Sequence, residues 1–211
     1  MNTFYDWPCY AEMSRPSDSY VRILHASPDA PAVDIYANDN LIAKNLAYKQ
    51  FTNYVSVKPG EYTIQVYPAG QKTTPVINTQ LSVPPKSRLT IAAIGKLADI
   101  SLLPLMEEYM KMVDKRRSYI RFAHLSPNAP AVDITLPNGA KLFSDVSYQQ
   151  YTDYINVAPG NYTLQVKPAG NSQIVLTVPN VKLLPGTIYT VYAVGLVGET
   201  PPLEAIISVD E

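Results

Sequence analysis

Apolar and polar residues alternate in short runs along most of the chain, and Pro, Gly or Asn interrupts the runs about every ten residues. In the run YTIQVY at 62–67, alternate residues lie on opposite faces of an extended strand, as in a half-buried sheet. Such runs predict an all-β sandwich or barrel. The strands predicted for the first half lie near 20–26, 32–37, 41–46, 51–57, 61–67, 76–83, 88–95 and 99–104.

The pattern occurs twice because the chain contains two copies of one sequence unit. VRILHASPDAPAVDI at 21–35 returns as IRFAHLSPNAPAVDI at 120–134, with ten identities in fifteen positions. After a one-residue insertion, 48–70 matches 148–170 at fourteen of twenty-three positions. The segments between strands leave no room for the helical crossovers of a parallel sheet, so we expect each copy to be an antiparallel sandwich.

The duplication divides the chain into four parts. We predict a flexible N-terminal arm at 1–19, a first β-sandwich at 20–105, a charged connector at 106–118 and a second β-sandwich at 119–211. The stretch from Pro104 to Tyr119 has a helix-favouring composition, which predicts a short helix of about two to three turns. Its apolar residues would dock on one domain; the alternative is a solvated flexible linker.

Composition excludes several classes of protein and site. The 211 residues are 46% apolar with a net charge of −1, which favours a packed core and gives no attraction for nucleic acid. A single cysteine excludes an internal disulfide and a cysteine-built zinc site. No apolar run has the length of a membrane span, and the first twenty residues do not resemble a signal peptide.

The most distinctive motif is H-x-S-P-x-A-P-x-V-D-I, which occurs once in each copy. A nucleophilic serine usually sits on a glycine-flanked elbow, whereas here each serine precedes a proline. We therefore interpret the motif as a rigid corner whose side chains satisfy backbone groups, with a metal site and hydrolytic catalysis as alternatives. An acid–base pair through Asp29 is doubtful because its counterpart is Asn128. The motif residues are His25, Ser27, Asp34, His124, Ser126 and Asp133.

A second motif, Tyr-x-Gln-[Phe/Tyr]-Thr-[Asn/Asp]-Tyr, places two tyrosines in each copy. A tyrosine combines a large apolar ring with a polar tip, so it suits the margin of a core. The alternative is an exposed aromatic platform for carbohydrate or for another subunit, to which Tyr36 could also contribute. The four motif tyrosines are Tyr48, Tyr54, Tyr148 and Tyr154.

The arm at 1–19 lies outside the repeat and carries Trp7 and Cys9. A disordered tail is one interpretation. The other is subunit linkage, through a disulfide at Cys9 or through docking of the arm on a partner's sheet.

The ordered motifs of both copies resemble the bacterial family called domain of unknown function 4397, over about 20–105 and 119–209. They are [VI]-R-x-x-H-x-S-P-x-A-P-x-V-D, the tyrosine motif, P-G-x-Y-x-[IL]-Q-V, P-A-G and T-[IV]-x-A-[IV]-G. The resemblance implies immunoglobulin-like β-sandwich domains of exported or cell-surface proteins. It carries over no catalytic residues.

We therefore predict a non-enzymatic structural or adhesive module of a bacterial envelope, extracellular layer or spore surface, with no cofactor and no metal. Synthesis in the cytoplasm with non-classical placement would reconcile this location with the missing signal peptide. The expected partners are other envelope proteins or further copies of the chain. The alternatives are a carbohydrate- or cell-wall-polymer-binding module that uses exposed tyrosines, and a hydrolase that uses His25 and Asp34 or His124 and Asp133.

Overall fold

The structure is a computed structural model that describes residues 18–107 and 114–210. Within these ranges each repeat contains eight strands, and one 3-10 turn occurs at Leu97–Asp99. The strands of the first repeat are β1 (Ser19–His25), β2 (Val33–Ala37), β3 (Asn40–Leu46), β4 (Val55–Val57), β5 (Gly60–Pro68), β6 (Ile77–Val83), β7 (Arg88–Ile94) and β8 (Ser101–Glu107). Those of the second are β9 (Ser118–His124), β10 (Val132–Thr135), β11 (Lys141–Val146), β12 (Ile155–Val157), β13 (Gly160–Pro168), β14 (Leu176–Leu183), β15 (Ile188–Val194) and β16 (Glu204–Val209). The all-β tandem fold is as predicted.

Each repeat is a sandwich of two four-stranded sheets. The inner sheets have the orders β4-β1-β7-β8 and β12-β9-β15-β16, and the outer sheets have the orders β3-β2-β5-β6 and β11-β10-β13-β14. One pair in each repeat departs from the predicted antiparallel arrangement, since β1 runs parallel to β7 and β9 runs parallel to β15. No helix is needed for this pairing because the strands between the two partners provide the long crossover.

The strand predicted at 51–57 is shorter than expected because a side chain replaces part of its ladder. The Thr52 hydroxyl oxygen accepts a hydrogen bond from the amide of Ile23 at 2.9 Å. The Thr52 amide in turn donates to the carbonyl of Ile23 at 2.9 Å. Thr152 and Phe122 repeat this pair of bonds in the second repeat. The threonine that both repeats share thus anchors the segment before the regular strand begins.

The central strands of the inner sheets, β1, β7, β9 and β15, are buried on both faces, so the two sandwiches form a four-layer stack. In β1, Val21 and Ile23 belong to the core between the two sheets of the first repeat. Leu24, on the opposite face of β1, packs in a separate core with Tyr192 and Val194 of the second repeat. A single buried face per sheet, as the alternation predicted, therefore holds only for the outer sheets.

The first residues of the connector stretch, for which a short helix was predicted, form a strand instead. Pro104 to Glu107 form the end of β8, where Leu105 is buried in the core between the inner sheets. Asp114 to Arg117 form a turn in which the Arg117 amide donates to the Asp114 carbonyl at 2.9 Å. The rest of the predicted helix, 108–113, lies outside the described residues. Over 18–107 and 114–210, no helix is long and apolar enough to cross a membrane.

Candidate functional site

The two motif histidines are fully buried and bonded to the backbone of their own loops. Nε2 of His25 lies 2.9 Å from the carbonyl oxygen of Pro31, and Nε2 of His124 lies 3.0 Å from that of Pro130. Because a carbonyl oxygen only accepts, Nε2 carries the proton in both rings. Burial lowers the pKa of both imidazoles, so they are neutral at pH 7. The remaining Nδ1 atoms have no partner within the described residues.

The motif serines bind the glycines that close the T-x-x-A-x-G motif. The Ser27 hydroxyl donates to the Gly95 carbonyl at 2.6 Å, and the Ser126 hydroxyl donates to the Gly195 carbonyl at 2.7 Å. Both glycines have positive φ, and a Cβ on Gly195 would lie 2.1 Å from the Pro202 carbonyl oxygen. Each serine therefore joins the corner to a turn that only glycine can form.

The motif aspartates each bind two loops through backbone amides. The Asp34 carboxylate accepts from Asn45 at 2.7 Å and from Gly70 at 2.9 Å. These bonds stabilise its charged form and lower its pKa. In the second repeat, the pKa of Asp133 is lowered by a hydrogen bond from Lys141 at 2.6 Å and by a backbone bond from Asp145.

Asp29 and its counterpart Asn128 make the same hydrogen bond in the two repeats. Oδ1 of Asp29 accepts from the amide of Leu97 at 2.7 Å, and Oδ1 of Asn128 accepts from the amide of Val197 at 2.8 Å. Only an acceptor oxygen is needed for this bond, and an aspartate and an asparagine both provide one. A second carboxylate is therefore not required in this corner.

The motif tyrosines contact the chain's own residues. Tyr48 meets His25 edge to face at 6.3 Å between ring centroids, and Tyr148 meets His124 at 6.4 Å. The Tyr54 hydroxyl donates to Glu107 at 2.6 Å, and the Tyr154 hydroxyl donates to Asp210 at 2.7 Å. Burial raises the pKa of all four phenols. Tyr36 meets Tyr67 edge to face at 5.6 Å and Lys72 lies over its ring. The ligand contact predicted for these rings stays a prediction.

Tyr54 and Tyr154 belong to a buried polar cluster between the two inner sheets, which we call the interdomain cluster. It contains two arginines and two carboxylates, so its formal charges cancel. Each arginine also lies over the ring of its own repeat's tyrosine, at 4.6 Å in both cases. Its members are Arg22, Tyr54, Thr90 and Glu107 from the first repeat, and Arg121, Tyr154, Thr190, Ser208 and Asp210 from the second.

Each arginine of the cluster reaches across to the last strand of the other repeat. Nη1 of Arg22 donates to the Val209 carbonyl at 3.0 Å, and Nη1 of Arg121 donates to the Met106 carbonyl at 2.5 Å. Within its own repeat each arginine donates through Nε to a threonine. The two bonds across the interface are related by a pseudo-twofold axis, because each repeat donates one and accepts the other. Together they fix the register of the two inner sheets.

The ionic contacts of the cluster are unequal. Arg22 lies 2.5 Å from Asp210 and 3.4 Å from Glu107. Arg121 comes no closer than 4.0 Å to Asp210, and its Nη2 has no hydrogen-bond partner within the described residues. Asp210 also accepts from Ser208 and Thr190. Arg22 is therefore the arginine that compensates the buried negative charge.

Sequence reasoning did not assign these arginines a role. The available signal was an arginine between apolar residues in equivalent strands of both copies, in VRI and IRF. An arginine in a run that is buried on both sides requires a buried partner. The partners could not be found from the strands alone because Asp210 lies almost the whole chain away from Arg22.

The predicted sites in the arm, Trp7 and Cys9, lie outside the described residues. Over the ranges that the structure describes, no group of three or more His, Cys, Asp or Glu side chains could hold a metal ion. Two exposed ion pairs, Lys49 with Glu204 at 2.9 Å and Lys96 with Glu199 at 2.8 Å, join the repeats at the rim of the interface.

Comparison with known proteins identifies one family and several distant solved structures, two of which are described below. A family model described as a domain of unknown function, DUF4397, matches residues 19–135 and 118–211. No curated protein matches significantly.

Both solved structures are too dissimilar to carry an argument about function. One is a family CBM26 module from Eubacterium rectale Amy13K in complex with maltoheptaose, at 10% identity and a TM-score of 0.29, covering 92% of this chain and 97% of that one. The other is the Bacillus anthracis TIE protein, at 12% identity and a TM-score of 0.26, covering 89% of this chain and 34% of that one.

Proposed function

The chain belongs to the DUF4397 family, whose model matches both repeats, and we propose that this member is a non-enzymatic structural or adhesive module of a bacterial cell surface. The proposed location is the envelope, an extracellular layer or the surface of a spore. Its partners would be other proteins of that layer or further copies of the chain.

The observation that carries the proposal is the interlocking of the two repeats. The central strands of each inner sheet are buried on both faces, and the arginines of the interdomain cluster donate across the interface in both directions. Buried polar bonds of this kind specify a single arrangement of the packed sheets. A fixed block that presents two outer sheets suits a load-bearing or spacing element better than a module that closes around a substrate.

The state of the potentially catalytic side chains supports the same proposal. The histidines are buried and neutral, the serine hydroxyls donate to glycine carbonyls, and the aspartates accept from backbone amides. A nucleophile needs its base within hydrogen-bond reach and an open approach for the substrate. These side chains are used instead to hold loops. The tyrosines proposed for glycan binding also contact the protein itself, which favours the structural function over the carbohydrate one.

Fractionation of the bacterium that encodes the chain tests the proposal. An antibody against the purified protein should detect it in the wall, surface-layer or spore-coat fraction, and external protease should remove it from intact cells. Detection only in the soluble cytoplasm would overturn the proposed location. Selective retention by defined glycans on an array would instead support the carbohydrate-binding alternative.

The N-terminal arm supplies the proposed means of assembly, since Cys9 is the one cysteine of the chain. Purified protein under oxidising conditions should form dimers that a reducing agent dissolves. The Cys9→Ser variant should remain monomeric on the same non-reducing gel and by light scattering. Identical behaviour of the two proteins would exclude covalent linkage.

A further inference from the structure

The first repeat contains an apolar pocket of about 200 Å³ between its inner and outer sheets. Val21, Ile23 and Ile64 line its interior. The more exposed side chains of Ile42 on β3 and Val55 on β4 line its open side. Among the described residues that line this pocket, none is charged.

Two positions that line the pocket carry larger side chains in the second repeat. Ile23 of the pocket corresponds to Phe122, and Ala37 corresponds to Leu136. Phe122 is a core residue of the second repeat, and Leu136 packs against that core.

Residual exposure follows the same difference between the repeats. Val21 is 9% exposed and its counterpart Ile120 is 1% exposed. Ile23 is 6% exposed, whereas Phe122 is 1% exposed. At these positions the core of the first repeat is therefore less completely filled than that of the second.

The polar groups at the margin of the pocket already have partners. The Thr52 hydroxyl accepts from the Ile23 amide, and the Tyr62 hydroxyl donates to the Lys58 carbonyl at 2.7 Å. Oδ1 of Asn38 accepts from the Thr63 amide, and the Asn40 side chain donates to the Asn38 carbonyl. A ligand would therefore find apolar surface and few free hydrogen-bonding groups, which selects against charged and strongly polar compounds.

We propose that this pocket binds a small, uncharged, monocyclic aromatic compound. A dry apolar cavity of roughly 150 Å³ holds benzene, so a cavity of this size admits a ring with one or two extra carbons. Tyr62 offers an aromatic contact to such a ring. The proposal concerns the interior of the first repeat and does not depend on the structural function proposed above.

Titration of the full-length protein with toluene tests the proposal. Methyl resonances of Val21, Ile23 and Ile64 should shift in a saturable manner, with half-saturation at about 1 mM or below. Ile23→Phe and Ala37→Leu place the side chains of the second repeat in the pocket. Each should weaken toluene binding by about tenfold or more while the thermal unfolding temperature stays the same or rises.

The matched control is Leu136→Ala, which alters the equivalent position in the second repeat and leaves the lining of the pocket unchanged. This variant should bind toluene as tightly as the wild type. Binding that survives in both Ile23→Phe and Ala37→Leu, or shifts confined to the interface between the repeats, would overturn the proposal. If Ile23→Phe fails to fold, Ala37→Leu alone decides, because Ala37 is only partly buried.

The aromatic arm of the chain is the competing occupant. The described chain begins at Asp18, whose carboxylate accepts a hydrogen bond from the Ser56 hydroxyl at 3.0 Å. Ser56 lies on β4 between the two valines that line the pocket. The Trp7→Ala variant should bind toluene with wild-type affinity. Binding that becomes more than about tenfold tighter in Trp7→Ala would show that the arm fills the site and would overturn the proposal of an external ligand.

Discussion

In the second repeat, Phe122 lies in the core between the two sheets and Leu136 packs against it, whereas the first repeat has Ile23 and Ala37 at these positions and contains the apolar pocket. The corners that carry the H-x-S-P motif do not differ in this way. His25 and His124 make the same bond to a proline carbonyl.

The comparison separates two kinds of constraint on a duplicated domain. A side chain that bonds to the backbone must keep both its length and its polar atom, so these positions agree between the copies. A core position must only help to fill a volume, and several combinations of apolar side chains do so. The second repeat places larger side chains in this volume, and the first repeat has an apolar pocket there.

The largest expected difference between the repeats lies in their arginines. Arg22→Ala removes the close partner of Asp210 and leaves a buried carboxylate uncompensated, so it should lower the free energy of unfolding by about 3–5 kcal/mol. Arg121→Ala should cost clearly less because Arg121 has no ionic contact shorter than 4.0 Å. Urea unfolding at pH 7 measures both. Equal losses would mean that the two arginines share the charge of Asp210 evenly.

A smaller difference is expected from truncation of the cores. Phe122→Ala should lower the free energy of unfolding by about 3–5 kcal/mol, as is typical of a fully buried phenylalanine. Ile23→Ala should cost nearer 2 kcal/mol, because its side chain already borders an open cavity and has fewer packing contacts to lose. Chemical denaturation of the two variants side by side gives the comparison. A greater loss for Ile23→Ala would contradict the looser packing of the first repeat.

The histidines should show the smallest difference, because their surroundings match. Burial lowers both pKa values below 6.5, so the unfolded chain binds protons that the folded chain does not as the pH falls below about 6.5. The contribution of the neutral histidines to the free energy of unfolding is therefore fully present above that pH. It decreases below that pH by at most about 1.4 kcal/mol per pH unit for each histidine.

Variants that keep the bond to proline without the titration measure this effect. His25→Gln and His124→Gln should each remove a similar part of the pH dependence of the free energy of unfolding between about pH 5 and pH 7. Urea unfolding at a series of pH values measures it. The lowered pKa values of Asp34 and Asp133 place their own contribution at lower pH. A pH dependence that only one histidine carries would show that the two corners are not equivalent.

Much of the fold followed from local pattern. All eight strands predicted for the first repeat occur, because alternation and turn residues act over a few neighbours. The strand at 51–57 was too long because Thr52 binds Ile23 through its side chain, which alternation does not reveal. The helix expected from Pro104 onward was wrong for 104–107, where pairing with β7 overrides helix propensity.

The candidate sites were less accessible to local reasoning. Arg22, Glu107 and Asp210 meet only after two separate sandwiches have packed together, and no spacing in the sequence reports that meeting. The pocket was missed for a different reason. Ile23 and Ala37 are ordinary apolar residues of predicted strands, and only the sum of side-chain volumes across both sheets shows that space remains.

The sequence by itself determined the duplication, the strands and the corner motif, since these depend on hydrogen bonds and side-chain alternation within one repeat. The tertiary structure alone decided that the central strands of the inner sheets bury both faces, that arginines from the two repeats reach across the interface, and that the first repeat contains an apolar pocket. These features depend on how whole surfaces and volumes match, which is a property of residues far apart in the chain.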